Sequence, residues 1–358
     1  MSRHLAKLVF GVLLVTFIAS VGKSEDRKNG NDCVSFFRSS EVVRFTSQMK
    51  RLSSISDIWP GYRPETIPVL VSRNKPEVSN CVLIFQNGEI THEIVSGENL
   101  QFDNGLYFLY LYQPLGGSLP ADILSVLIKT KIEKAIAYSI DAFPDTAGQL
   151  DYQIYMKGKM DFHLNTVVHE GFHINSIFGA IVGPRPFPWP AWDRQPDRDI
   201  GKFCYERDEW KKESYALHAA FKLLYLEGNT EMALSAARDF IKMREERYHK
   251  LKDVKVPSSH APEGVSCEEA ESIMELEEGG ADFVGTAASI ELAIVSPYQV
   301  SEHLVDYHDW YYRSGLAQLL LIRKMNKAAS LEALQKISTS QNWNQGIFFE
   351  FKTFIESH

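Results

Sequence analysis

The segment from Asp161 to Phe178 constrains this chain more than any other. It reads Asp-Phe-His-Leu-Asn-Thr-Val-Val-His-Glu-Gly-Phe-His-Ile-Asn-Ser-Ile-Phe. Phe162, Leu164, Val167, Val168, Phe172, Ile174, Ile177 and Phe178 make it too apolar for a surface helix, with Asp161 as N-cap and Gly179 as the stop. A helix of this kind has to be buried, and the fold must then supply partners for the ionisable groups it carries inward. Those are chiefly His169, Glu170 and His173, a His-Glu-x-x-His pattern. Histidines four residues apart share one helix face, from which two imidazole nitrogens can hold one metal ion. Glu170 is next to the first and can reach a water on that ion. Together they offer what a zinc hydrolase needs: a Lewis acid, a water and a general base. The plainer alternative, a core helix with two hydrogen-bonded histidines, gives Glu170 nothing to do.

A catalytic zinc site needs a third protein ligand and an open fourth position. Ser176 and Gly179 stand where the metzincin pattern would put its glycine and its third histidine, so that form is excluded. The better candidate lies far downstream, in Glu277-Glu278-Gly279-Gly280-Ala281-Asp282-Phe283-Val284-Gly285. On these two motifs the chain resembles the gluzincins, zinc metallopeptidases whose third ligand is a glutamate on a second helix. Glu278-Gly279-Gly280-Ala281 is similar to their EGxA-like segment. Asp282 has the spacing of the aspartate that, in some of them, is hydrogen-bonded to a zinc histidine.

The resemblance implies zinc held by His169, His173 and Glu278, with Glu170 as the base and Asp282 behind a ligand histidine. It covers the two motifs firmly and the rest of the chain loosely. Asn175 departs from the extended pattern, where an apolar residue is usual, and the gap between the motifs is longer than in the best-known gluzincins. No GxMEN-type segment is present, so aminopeptidase specificity is not implied. Glu213, in the helical stretch Glu209 to Leu226, is the rival ligand. The small residues beside Glu278 favour Glu278, because they let its helix pack closely on the metal helix. The alternative for Glu278 is an exposed acidic run with Glu275 and Glu277. Zincins also use a Tyr, His or Arg beyond the third ligand to stabilise an oxyanion. Tyr307, His308, Tyr311, Tyr312 and Arg313 stand there, and Tyr311 or Tyr312 is the expected residue, with aromatic packing the alternative.

With 358 residues, 44% of them apolar, the chain can bury a sizeable core. Arg3 and Lys7, the apolar run Leu8 to Ile18 and the small residues Ser20 and Gly22 read as a signal peptide over residues 1–22, an uncleaved anchor being the alternative. Loss of Arg3 and Lys7 takes the formal net charge from −8 to −10, which argues against a nucleic-acid partner. The expected location is exported, periplasmic or extracellular, with no stable membrane insertion after cleavage. In that setting Cys33, Cys81, Cys204 and Cys267 suggest disulfides. Cys33–Cys81 and Cys204–Cys267 are favoured because each pair lies within one region. Buried free thiols are the alternative.

Residues 40–57 read as a helix, and Ile67–Val71, Cys81–Phe85, Ile90–Val95 and Leu106–Tyr112 as strands, with a hairpin turn at Asn87-Gly88. A second helix is expected from Leu119-Pro120-Ala121-Asp122 through about Ile140. Tyr152–Met156 is a candidate edge strand for an extended substrate. Gly183 to Trp192, with its alternating prolines, is a stiff loop. Residues 206–226, 231–250, 267–288 and 303–325 read as helices. The expected class is α+β and zincin-like. Residues 23–160 would hold a small mixed sheet and a backing helix, and residues 161–358 would form a mainly helical region carrying the zinc site. The function this implies is zinc-dependent hydrolysis of peptide bonds in a peptide or protein substrate. The alternatives are a zincin-fold binding or assembly protein, and an amide hydrolase acting on a non-peptide substrate.

Overall fold

The computed structural model describes residues 33–55, 57–73, 80–96, 106–110, 121–132, 134–139, 161–176, 200–204, 209–258, 261, 263–304, 310–340 and 346–358. Helix α1 (Ser40–Leu52) starts at Ser39, whose hydroxyl accepts from the Val42 amide. Strands β1 (Val69–Arg73), β2 (Asn80–Gln86), β3 (Glu89–Ser96), β4 (Leu106–Tyr110) and β5 (Lys134–Ser139) form one sheet in the order β3-β2-β1-β5-β4. β1 and β5 run parallel and the other neighbours antiparallel, so the sheet is mixed. The β2–β3 hairpin turns on Asn87 and Gly88, both at positive φ (51° and 77°), as a two-residue turn matched to strand twist requires.

Side chains alternate across the sheet with the period of two that strands impose. Val69, Val71, Leu83 and Phe85 face the largest apolar cluster, shared with Val42, Phe45, Met49 and Leu52 of α1. Leu70, Val82 and Ile84 face the opposite side, against Ile123 and Leu127 of α2 (Ala121–Lys129). The expected helix through Ile140 is corrected here. Lys131 adopts φ 57°, which ends the helix, and residues 134–139 become β5. Ile132 and Ala135 then join the cluster under α2, and β5 pairs on both sides, with β1 and β4. Pairing with two strands outweighs the helical spacing of the apolar residues. Tyr152–Met156 and Gly183–Trp192 lie outside the described residues.

The rest is mainly helical: α3 (Asp161–Ser176), a short α4 (Gly201–Cys204), α5 (Glu209–Tyr225) and α6 (Thr230–Lys250). A two-stranded ladder, β6 (Lys255–Val256) with β7 (Val265–Ser266), leads into α7 (Cys267–Met274). One π-helical turn (Glu275–Gly279) joins α7 to α8 (Gly280–Glu291). Then follow α9 (Pro297–His303), α10 (Trp310–Met325), α11 (Lys327–Thr339) and α12 (Ile347–Glu356). The helix expected over 303–325 is described from Trp310, while α9, α11 and α12 are additions to the sequence reading. α3 is central. Leu164, Val167, Val168 and Phe172 sit in the largest cluster together with Trp59, Phe283 and residues as distant as Ile355.

Both expected disulfides are formed. Cys33–Cys81 ties the start of the described chain to β2, and Cys204–Cys267 ties α4 to α7, with Cα separations of 5.2 and 5.4 Å. They are compatible with an exported chain. Among the described residues, no helix is long and apolar enough to cross a membrane. Residues 1–22 lie outside the description.

Candidate metal centre

The site is built where α3 meets α8 and the π turn before it, with Arg313 of α10 behind Asp282. Tyr62 donates a 2.6 Å hydrogen bond to the Val168 carbonyl, and Trp59 packs edge-on against Phe172 at 4.8 Å, which fixes α3 on either side of His169. α8 approaches through its glycines. A Cβ on Gly285 would stand 1.9 Å from Asn165 Oδ1, and one on Gly280 would press against the Trp59 ring at 3.4 Å. The tight approach to α3 is thus made at Gly285, seven residues after Glu278, while Gly279, beside Glu278, packs against Gly315 of α10.

His169 and His173 are buried and Glu170 is half-buried. The two Nε2 atoms are 3.0 Å apart. Glu278 Oε2 lies 3.3 Å from His173 Nε2 and 3.7 Å from His169 Nε2. A ligand atom of Glu170 is within 4.8 Å of those of both histidines. The fit to a metal ion can be tested on these distances. Tetrahedral bonds of about 2.1 Å put neighbouring donors roughly 3.4 Å apart. The three observed separations, 3.0, 3.3 and 3.7 Å, bracket that value. The donor set, two imidazoles and one carboxylate, is of the kind that holds zinc in hydrolases.

Behind the donors, His169 Nδ1 is 3.0 Å from Asp282 Oδ1, and Arg313 Nη1 donates to Asp282 Oδ2 at 3.3 Å. An Nδ1–H donated to Asp282 is the arrangement that would leave the Nε2 of His169 to serve as a metal ligand. His173 Nδ1 is buried with no hydrogen-bond partner among the described residues. Burial works against a charge on either histidine, yet Asp282 and Glu278 outweigh it and hold His169 well above its usual pKa. Glu278 does the same for His173. Burial would raise Glu278, but the two histidines hold it well below the ordinary carboxylate range.

The rival glutamate is engaged elsewhere. Glu213 accepts from Arg247 at 2.6 and 3.0 Å and from Arg244 at 3.4 Å, deep in a buried cluster. Glu275, Glu277 and Glu278 are all buried, so they do not form an exposed acidic run. Tyr311 packs against the apolar cluster around Cys204, Cys267 and Met274. Tyr307 and His308 lie outside the described residues, as does the side chain of Tyr312. From α10 it is Arg313 that reaches the histidines, through Asp282. The sequence reading named Arg313 among the candidates without choosing it. The signal for it is a charge at the head of the largely apolar stretch Leu316 to Ile322, which needs a buried partner.

Comparison with protein-family models, with curated proteins and with solved structures finds no match to this chain.

Proposed function

We propose that the chain is a zinc-dependent hydrolase of peptide bonds, gluzincin-like in its ligands and zincin-like in its fold. The observation that carries this reading is the convergence of His169 Nε2, His173 Nε2 and Glu278 Oε2 within 3.0–3.7 Å of one another. A bound ion would supply a Lewis acid and bring the pKa of a coordinated water to about 7.

The chain's own residues supply the rest. Asp282 holds His169 in the tautomer that presents Nε2, and Arg313 holds Asp282. Glu278 brings one negative charge to the cluster. Glu170 is half-buried beside the histidines, close enough to take a proton from a water there and pass it to a departing amine. The alternative of a binding or assembly protein leaves Glu170 without a task. The substrate is a peptide or protein, and the signal-like N-terminus together with two disulfides supports an exported setting.

The test is metal content by elemental analysis of purified protein, beside cleavage of a broad peptide library. Wild type is expected to carry one zinc per chain and to cleave, and His173→Ala to carry none. Wild-type protein that takes up no metal would overturn the site. Protein that binds zinc and cleaves nothing would overturn the peptidase.

A further inference from the structure

On an undisturbed α-helix, Glu271, Glu275, Glu278 and Asp282 would repeat every three to four residues and form one stripe. In this protein the stripe is divided. Glu271 receives Arg247 at 2.6 and 2.9 Å, and Glu275 receives Arg244 at 2.5 Å. Glu278 and Asp282 turn instead to the histidines of α3. The π turn, Glu275–Gly279, spans the change from one pair to the other, and in it the Gly280 amide donates to the Glu275 carbonyl. The extra residue in such a turn resets the direction of everything after it, and π turns occur preferentially at functional sites.

Glu275 is held at both ends. Its Oε1 accepts from Arg244, from the Ser314 hydroxyl and from Gln318 at 3.2 Å. Its carbonyl, the acceptor of the π bond, lies against Gly315. A Cβ there would stand 2.8 Å from that oxygen and 3.0 Å from the Gly279 Cα. Arg244, fully buried, sits 4.7 Å from the Phe240 ring and 5.1 Å from the Phe348 ring, so the anchor is itself fixed. Glu278 is three residues from this doubly held residue.

We infer that Glu275, with Arg244 and Gly315, is a positioning device: it holds the π turn so that Glu278 and Asp282 face the histidines. This rests on the reading of Glu278 as a metal ligand. Stability alone is a poor account of the cluster. Three buried carboxylates (Glu213, Glu271, Glu275) share two guanidinium groups, and well-packed apolar residues commonly stabilise as much as buried ion pairs do. What apolar residues would not give is a fixed direction for the helix after the turn.

The test uses the full chain and four variants. Glu275→Gln keeps an acceptor oxygen for all three donors, Glu275→Ala removes it, and Gly315→Ala drives a methyl against the Glu275 carbonyl. Leu334→Ala, in α11, is the control that loosens the core without touching the turn. Zinc affinity is read by competition with a chromophoric chelator, and site geometry by the visible absorption of bound Co²⁺. Glu275→Ala and Gly315→Ala are expected to weaken zinc binding about tenfold or more and to dim the tetrahedral Co²⁺ bands, as loss of ligand support does. Glu275→Gln is expected to retain both, and Leu334→Ala to melt earlier while keeping its affinity. If Glu275→Ala fails to fold, Gly315→Ala carries the test. Wild-type affinity and spectrum in the folded variants would overturn the inference, as would an equal loss in Leu334→Ala. Wild-type protein that binds neither metal would defeat the ligand reading itself.

Discussion

Asp282 and His169 come from helices far apart in the chain and meet at 3.0 Å, carboxylate oxygen to Nδ1, with Arg313 on the other oxygen. The contact decides which nitrogen of His169 faces the site. Asp282→Asn keeps the shape of the side chain and removes its charge. Zinc affinity, measured by chelator competition, should fall about tenfold or more. Unchanged affinity would reduce Asp282 to a packing residue.

Glu170→Gln separates proton transfer from metal binding. The amide fits where the carboxylate was and cannot take a proton. Zinc content and thermal stability should stay at wild-type values while peptide cleavage drops by about 10² to 10⁴-fold, the usual worth of a general base. A variant that cleaves at the wild-type rate would remove Glu170 from the mechanism.

The Cys204–Cys267 bridge closes a loop with a sequence separation of 63. Replacing both cysteines with serine should lower unfolding free energy by about 2–4 kcal/mol. Denaturant titration measures the loss, and mapping of non-reduced peptides checks the pairing. Peptides joining Cys204 to Cys33 would show a different bridge pattern.

Glu275 and Glu271 should give opposite pH dependences. Burial, added to by the charge of Glu271, raises the Glu275 pKa against the pull of Arg244. A raised carboxyl contributes stability that is present below its unfolded pKa, about 4.3, and lost as pH rises through the folded value. Burial also acts to raise Glu271, but Arg247 outweighs it and the net shift is downward. Its contribution is therefore present above about 4.3 and lost as pH falls. Relative to wild type, Glu275→Gln should gain stability as pH rises above about 4.3, and the deficit of Glu271→Gln should shrink as pH falls below about 4.3. Denaturation midpoints on both sides of that pH test the signs, and curves parallel to wild type throughout would show that neither carboxyl is shifted.

Much of this arrangement could be read from short stretches of sequence. The apolar spacing of α3, the Asn87-Gly88 turn and the strands around it are local signals; the small residues after Glu278 are local too, but the one that lets α8 approach α3 is Gly285. Residues 134–139 were harder, because Ile132 and Ile136 suit a helix as well as a strand. Only β1 and β4, which approach from elsewhere, decide the matter. The π turn has no sequence mark of its own. It depends on Arg244, Ser314 and Gly315, none of them near Glu275 in the chain. Glu213 looked like a ligand for the same reason. Its spacing was acceptable, and the two arginines that occupy it come from another helix. For α9 the signal is local as well: Ser296, Pro297 and Gln299 spell a capping box, which the structure forms.

The division of the site between α3 and the stretch from the π turn into α8 has a consequence for biosynthesis. A ribosome delivers His169 and His173 long before Glu278 and Asp282. A nascent chain that stops short of the π turn presents two imidazoles on an apolar helix and lacks the carboxylates that complete the set. The set is therefore completed only once the π turn and the start of α8 have been made, and a protein truncated before Glu278 lacks its carboxylates.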